Sequence, residues 1–292
     1  MLIERPVVVA KDVGGGIGRG AADASKAGAE ARLDAAVAAL SEADRAKVFA
    51  LTDVHSSGGG GGGGGGGSSE ATALGIFRTN AYPTAGGEGG LFPLFARFNH
   101  ACTPNVSHRW CPADSVPADG GPGAGGGVRA VFAARDIAAG EELLNSYIEP
   151  AAPRHERRAA LRAQFGFDCT CAACALGDDA ATLRESDRRR ARAGALDDEI
   201  FGHIRSGRYA PALAAVEERL ALLEAEGLAA PAVRVRVCYD AYQACAHRDG
   251  GGGGADAGAW LRRVLKNTEL SDLPGSSNLA ELRGAVASFA KR

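Results

Sequence analysis

The sequence predicts an α+β protein with a mostly β N-terminal part, a cysteine-rich segment and an all-helical C-terminal part. Three observations support this prediction. Short apolar and β-branched runs, separated by turn residues, occupy much of the first half of the chain. Three cysteines fall within residues 169–174. Beyond residue 176 the pattern changes to long segments rich in Ala, Leu and Arg, which are typical of packed helices.

Composition narrows the function classes. The chain has 292 residues, of which 46% are hydrophobic, so it can bury a sizeable core. A net charge of −2 does not favour binding to nucleic acid or to an anionic membrane. We find no signal-peptide pattern and no apolar run long enough to span a bilayer. Seven cysteines in that context favour a reducing compartment, so we expect an intracellular protein of the nucleus, the cytoplasm or both.

The first half of the chain is expected to alternate short strands and helices. The run 2–10 predicts a strand, and 27–51 predicts two helices, the second opened by a capping box at Ser41. Low-complexity glycine inserts lie near 14–20 and 56–69. Residues 74–82 are apolar and β-prone. Further strands are predicted at 106–110, 128–132 and 142–148.

The second half is expected to be helical after one more helix from Pro153 to about Phe165. Helices are predicted at 182–206, 210–226, 231–247, 256–266 and 278–290. Cys238 and Cys245 are expected in their core, and the arginine run 184–192 on a solvated helix face. The predicted organisation is therefore an N-terminal domain at 1–168, a cysteine segment at 169–176 and a helical, TPR-like domain at 177–292.

The cysteine segment predicts a metal site. Residues 169–174 read C-T-C-A-A-C, and three thiolates at this spacing match a tetrahedral zinc site that lacks one ligand. The candidates for the fourth ligand are Cys102, Cys111 and His155. Ligand softness favours either of the two cysteines in an all-thiolate site.

Two polar segments are candidates for ligand binding. Residues 97–105 form a turn after an apolar run, and Asn99 and His100 there offer donors and acceptors to a ligand. The glycines near residues 14–20 loosely fit a dinucleotide-binding turn. No second parallel strand with a terminal acid follows them, so a flexible insert is the favoured interpretation.

Three motifs in order resemble the SET-domain protein-lysine methyltransferases. They are N-H-A-C-T-P-N at 99–105, G-E-E-L-L-N-S-Y at 140–147 and the cysteine cluster at 169–174. The chain looks most like the branch that includes the SET-and-MYND proteins and their fungal and plant relatives, without a MYND zinc finger. The resemblance covers 70–176 well, 1–13 plausibly and the helical part in general character. It implies several small β-sheets followed by a post-SET zinc site.

The resemblance also implies S-adenosylmethionine as methyl donor and a protein lysine, on a histone tail or another protein, as acceptor. Tyr147 would be the active-site tyrosine, and a further protein could bind the C-terminal helices. The residues expected to contact the cofactor or line the lysine channel are Asn80, Asn99, His100, Tyr147, Phe165 and Phe167. The expected zinc ligands are Cys102, Cys169, Cys171 and Cys174.

One departure from the family pattern favours a second hypothesis. The family's first cofactor motif is a G-x-G turn before a strand like 2–10, and this chain begins after that point. The G-R-G at 18–20 lies on the other side of the strand, so we interpret it as a decoy. The alternative function is a catalytically weak or inactive SET fold that serves as a protein-interaction module. A zinc-bearing nucleic-acid binder is disfavoured by the near-neutral charge.

Overall fold

A computed structural model describes residues 1–11, 26–56, 70–116, 126–175, 180–248 and 254–289. The glycine insert at 14–20 and nearly all of the insert at 56–69 lie outside these described residues. The described strands are β1 (Leu2–Glu4), β2 (Val8–Lys11), β3 (Tyr82–Pro83), β4 (Glu88–Leu91), β5 (Asn99–His100), β6 (Val106–Cys111), β7 (Val128–Ala133) and β8 (Leu144–Asn145).

These strands form three small sheets. One has the order β1-β7-β6 and a second has the order β2-β4-β3, both antiparallel. The third is the parallel pair β5-β8, in which Asn99 pairs with Leu144 and His100 with Asn145. This arrangement of several small sheets, followed by a four-cysteine cluster and a helical C-terminal region, confirms the predicted fold class.

The predicted strand at 2–10 is two strands in different sheets. Pro6 lies between them, and proline cannot donate a ladder hydrogen bond. Glu4, at the end of β1, accepts hydrogen bonds from the backbone N–H groups of Leu94 (2.7 Å) and Phe95 (2.8 Å). The break therefore lets the first segment hold the turn that leads into β5.

Three helices precede the main sheets: α1 (Lys26–Ala38), α2 (Glu42–Phe49) and α3 (Ala73–Asn80). Ser41 caps α2 as predicted, since its hydroxyl accepts from the N–H of Asp44 at 3.1 Å. The β-prone run 74–82 is mostly helical in the structure, because its residues up to Asn80 belong to α3. Thr72 caps the helix by accepting from the N–H of Gly75, and the buried residues of α3 recur at helical spacing.

The strand predicted at 142–148 is shorter than expected, because only Leu144–Asn145 forms β8. The buried side chain of Asn105 takes the place of a longer ladder. Its Oδ1 accepts from the N–H of Leu144 at 2.7 Å, and its Nδ2 donates to the carbonyl of Glu142 at 2.8 Å. A side-chain amide can therefore satisfy backbone groups that a neighbouring strand leaves unpaired.

The remaining helices follow the prediction closely. They are α4 (Arg154–Phe165), α5 (Ala180–Arg205), α6 (Tyr209–Ala225), α7 (Pro231–Arg248), α8 (Ala255–Ser271) and α9 (Ser277–Phe289). From α5 onwards each helix packs against the next, and Cys238 lies in the shared core with Leu220 and Val264. Cys245 is also buried, as expected. Among the described residues, no helix is long and apolar enough to cross a membrane.

The helical region also packs against the sheets. Leu273, which follows α8, is fully buried in one cluster with Cys111 and Phe132 from the β1-β7-β6 sheet. Arg109 of β6 forms an ion pair with the buried Asp272 at 2.8 Å. The helices are therefore attached to the part of the chain that carries the polar motifs.

Candidate functional site

A cavity of about 410 Å³ collects five of the six residues expected to contact the cofactor. It lies between the segment after α2, the end of α3, the turn before β5 and the end of α4. The five expected residues on its wall are Asn80, Asn99, Tyr147, Phe165 and Phe167. They are up to 87 positions apart in the sequence (167 − 80), and the fold brings them to one site. Their roles in binding remain predictions.

Asn80 ends α3 and is mostly buried. Its amide nitrogen donates to the carbonyls of Thr52 and Ile76, both at 2.7 Å. Because the nitrogen is used internally, its amide oxygen is the group with hydrogen-bonding capacity left for a ligand. Asn80 also ties α3 to the segment at Leu51–Thr52, which forms one wall of the cavity.

Asn99 is on β5 and is exposed. Its amide nitrogen donates to the carboxylate of Glu142 at 2.6 Å. Asn105 donates to the neighbouring carboxylate of Glu141 at 2.8 Å, and Arg135 pairs with the same group. The Arg135 and Asn105 contacts hold the pKa of Glu141 at about 2, so this carboxylate stays ionised at neutral pH.

Tyr147 follows β8 and directs its ring into the cavity. Its hydroxyl donates to the carbonyl of Phe98 at 2.6 Å, and its ring centroid lies 5.0 Å from that of Phe165. Burial raises the pKa of Tyr147, so the phenol is neutral at physiological pH. Since the hydroxyl donates its hydrogen bond to the carbonyl of Phe98, the lone pairs of the phenol oxygen can accept a hydrogen bond from a ligand.

His100 is the one expected cofactor residue that does not line the cavity. Its Nδ1 accepts from the backbone N–H of Tyr147 at 3.1 Å, and its Nε2 lies 3.3 Å from Sγ of Cys102. Burial lowers the pKa of His100 to about 4, so the ring is neutral and Nε2 carries the proton. His100 therefore connects Tyr147 to the cysteine cluster.

Sequence reasoning missed several residues of the cavity wall, most notably Tyr82. It lies on β3, is 4% exposed and accepts a hydrogen bond from Asn145 at 3.3 Å. Arg129 stacks over its ring at 4.8 Å. No residue pattern in the sequence marks Tyr82 as part of a site. Its position two residues after the candidate Asn80 was the one signal that could have included it.

The four expected zinc ligands converge. Sγ atoms of Cys102, Cys169, Cys171 and Cys174 all lie within 4.8 Å of one another. Sγ of Cys102 is 4.0 Å from that of Cys169 and 3.6 Å from that of Cys174. Tetrahedral zinc with Zn–S bonds of 2.3 Å requires sulfurs about 3.8 Å apart, so these residues fit the ion in number, softness and spacing.

The other two candidates for the fourth ligand are excluded by position. Cys111 is buried in the β1-β7-β6 sheet beside Val128 and Ala130, outside the cluster. His155 is 79% exposed at the start of α4, where it lies beside Glu156. Of the two cysteines that ligand softness left open, the tertiary structure places Cys102 in the four-cysteine cluster and Cys111 outside it.

Two buried arginines flank the cluster. Arg157 of α4 directs Nη2 at Sγ of Cys174 (3.9 Å), and Arg190 of α5 donates to the carbonyl of Cys102 (3.2 Å). Both side chains are 1% exposed. The expectation of a solvated arginine face is therefore wrong for Arg190, whereas Arg188 and Arg192 do lie at the surface.

A second cavity of about 410 Å³ lies between the sheets and the helical region. Asn145 and Ser146 line it, whereas the next residue, Tyr147, lines the first cavity. Ile148 and Glu149, on the other side of Tyr147, line the second cavity as well. The second cavity's remaining wall includes Leu228 and Val237 of the helical region. The segment around Tyr147 therefore separates the two cavities.

Part of the chain is similar to known proteins. Residues 37–148 match the family model of the SET domain. The histone-lysine N-methyltransferase set5 of Schizosaccharomyces pombe is 39% identical over 118 residues, which is 40% of this chain and 33% of that protein. The family-model match includes α2, α3, β3 to β8 and Tyr147, whereas β1 and β2 lie before it.

Two vertebrate lysine methyltransferases are also similar to part of the chain. Human histone-lysine N-methyltransferase SMYD3 is 33% identical over 100 residues, 34% of this chain and 20% of its own. The chicken N-lysine methyltransferase SMYD2 is 30% identical over 108 residues, 37% of this chain and 20% of its own. The matched part of the chain thus spans a fifth to a third of the length of these relatives.

Proposed function

We propose, from the premise that the chain carries a SET domain related to those of the protein-lysine methyltransferases, that it transfers a methyl group from S-adenosylmethionine to the ε-amine of a protein lysine. The observation that carries the proposal is the first cavity, where residues from four separate segments meet. A histone tail or another lysine-bearing protein is the proposed substrate, and the proposed site of action is intracellular.

The walls of the first cavity suit a cationic donor and a desolvated amine. When bound, S-adenosylmethionine supplies an electrophilic methyl group on a positively charged sulfonium. The aromatic faces of Phe165, Phe167 and Tyr147 favour such a cation. The amide oxygen of Asn80 and the backbone and side chain of Asn99 provide acceptors and donors for the polar ends of the molecule.

The acceptor lysine must reach the methyl group as a neutral amine. Its pKa in water is about 10.4, and an aromatic, water-poor channel lowers that value because it disfavours the ammonium form. The hydroxyl of Tyr147 donates to the carbonyl of Phe98. Its oxygen can therefore accept a hydrogen bond from an N–H of the amine, and this bond would orient the lone pair of the amine nitrogen. The N–C bond would form as the S–C bond breaks, S-adenosylhomocysteine would leave as a neutral thioether, and the methylated ammonium would lose a proton to water. Such a displacement is governed by positioning.

We propose that the peptide that carries the lysine approaches through the second cavity. Asn145 and Ser146 on one side and the helical region on the other would contact it. Glu149 and Arg236 at this cavity offer charges of both signs to a polar peptide. Tyr147 would thus face the donor side, whereas the residues before and after it would face the acceptor side.

We further propose that the four cysteines hold one structural zinc ion. All four positions would be thiolates, which leaves none open for a substrate. The ion would join the β5 loop, through Cys102, to the segment after α4, through Cys169, Cys171 and Cys174. Phe165 and Phe167 lie just before this segment, so the ion would keep them on the cavity wall.

The test is methyl transfer from radiolabelled S-adenosylmethionine to histones and to a pool of lysine-containing peptides. Tyr147→Phe removes the acceptor oxygen and keeps the ring, so we expect binding of the methyl donor to be preserved and transfer to fall at least about 100-fold. Tyr239→Phe, at a tyrosine that is 43% exposed on α7, is the matched control.

Two results would count against the proposal. Equal transfer by the Tyr147→Phe and Tyr239→Phe variants would remove the role given to Tyr147. If calorimetry finds no binding of S-adenosylmethionine to the zinc-loaded chain, the function is instead that of a SET-fold protein-interaction module.

A further inference from the structure

Arg157 is a cation that the protein interior holds without a carboxylate. Its side chain is 1% exposed, and its Nη1 donates to the carbonyl of Ala152 at 2.6 Å. Its Nη2 points at Sγ of Cys174, 3.9 Å away. Within the described part of the chain, no carboxylate forms an ion pair with it. Of the groups that Arg157 contacts, the sulfur cluster is therefore the one that can carry a negative charge.

The neighbouring charges do not supply the missing negative charge. Arg190, also 1% exposed, is bonded to Glu226, but the same carboxylate accepts from Arg189 at 2.6 Å. Arg189 also pairs with Glu185, which Arg188 shares, so two carboxylates serve three guanidinium groups and neither contacts Arg157. The described groups around the four cysteines carry an excess of positive charge before the sulfurs are counted.

A buried arginine without a counterion is strongly unfavourable, because its charge is removed from water with no compensation. Zinc bound by four thiolates carries an excess of two negative charges, since four single negative charges exceed the charge of the divalent ion. Neutral cysteines would leave Arg157 uncompensated. The two excess negative charges of the filled site therefore match the positive surroundings, whereas four neutral thiols do not.

We infer that Arg157 is the buried counterion of the four-thiolate zinc centre and links metal occupancy to the shape of the cofactor cavity. The inference rests on the zinc centre proposed above. The link is α4, which carries Arg157 in its first turn and ends at Phe165. Leu161, between them, is fully buried in the same cluster as the cysteines, Tyr147 and Phe167.

Loss of zinc is expected to disturb the cofactor cavity through α4. When zinc leaves, Arg157 becomes an unpaired buried cation, and α4 must move for its guanidinium to reach water. Phe165, at the other end of α4, then leaves the cavity wall. Loss of zinc should therefore abolish binding of S-adenosylmethionine although no cysteine lines that cavity.

The experiment compares two unbranched side chains of similar length, both shorter than arginine. Arg157→Met removes the charge, and Arg157→Lys keeps it. Arg192→Met is the control, because it removes a guanidinium from α5 that is 36% exposed and paired with Glu199 and Glu218. Each purified chain is assayed for zinc content and for the rate at which a colorimetric chelator takes up its zinc.

We expect Arg157→Met to lose zinc at least about tenfold faster than the unsubstituted chain, or to be purified without it. Arg157→Lys should retain zinc far better than Arg157→Met, and Arg192→Met should match the unsubstituted chain. Equal zinc loss by the Lys and Met variants, including a common failure to fold, would overturn the charge role. Unchanged release by Arg157→Met would overturn it as well. An unsubstituted chain without zinc would instead refute the proposed metal centre.

Discussion

The carboxylate of Glu226 is expected to be one of the most important polar groups for the stability of the helical region. Its side chain is 5% exposed at the C-terminus of α6. It accepts hydrogen bonds from Ser186 Oγ (2.6 Å), Arg189 Nε (2.6 Å) and Arg190 Nε (2.8 Å). Glu226→Gln keeps the shape of the side chain and removes the charge.

The expected cost follows from burial on both sides of the pair. Arg190 is 1% exposed and also donates to the carbonyls of Cys102 and Pro150, so it cannot turn to solvent without breaking these bonds. Removal of one partner from a buried ion pair costs about 3–5 kcal/mol, because the other charge stays buried and unpaired. We expect the free energy of unfolding of the Glu226→Gln variant to fall by about this amount.

The assay is urea denaturation of the zinc-loaded chain followed by circular dichroism. Glu218→Gln is the matched control: Glu218 is on the same helix, pairs with Arg192 at 2.7 Å and is 45% exposed. An exposed pair contributes about 0–1 kcal/mol, so this variant should barely shift the midpoint. If the two variants lose the same stability, the reasoning from burial is refuted.

Three further outcomes are expected. Burial favours the neutral form of Glu226, but its three hydrogen-bond donors outweigh this and hold its pKa below the ordinary value. Its stabilising contribution is thus present above the unfolded-state pKa and lost as pH falls through the folded-state value; an unchanged acid-unfolding profile in the Gln variant would contradict this. Asn105→Ala leaves the N–H of Leu144 without its acceptor and should cost about 1–3 kcal/mol in thermal denaturation; no cost would show that β8 does not need this bond. In Gly75→Ala a Cβ would lie 2.2 Å from the carboxylate oxygens of Asp53, so we expect a loss of about 1–3 kcal/mol and weaker calorimetric binding of S-adenosylmethionine; wild-type melting and affinity would refute the close packing.

The features that depend on local spacing could be read from the sequence. The helices α4 to α9, the N-cap of α2 and the three clustered cysteines are each determined by residues a few positions apart. Local hydrogen bonds and 3.6-residue periodicity act over such distances. The order of the three polar motifs also predicted the similarity to SET-domain proteins, since the SET-domain family model matches residues 37–148.

Where local signals conflict, the tertiary structure decides. The run at 74–82 contains β-prone residues, yet most of it forms α3 because Thr72 caps a helix whose buried face packs on α1 and α2. Secondary-structure propensities amount to fractions of a kcal/mol per residue, whereas burial of a side chain such as Phe77 contributes about 1.5–3 kcal/mol. Packing therefore outweighs propensity there.

What the sequence determined by itself is the set of chemical groups and their order along the chain. What only the tertiary structure decided is which distant groups meet. Cys102 joins a cluster 67 residues away, and Cys111 of equal softness does not. Arg190, in a run that suggests a solvated face, is buried against Cys102. Such contacts depend on the closure of long loops and on the burial of long charged side chains, and neither leaves a periodic signal in the sequence.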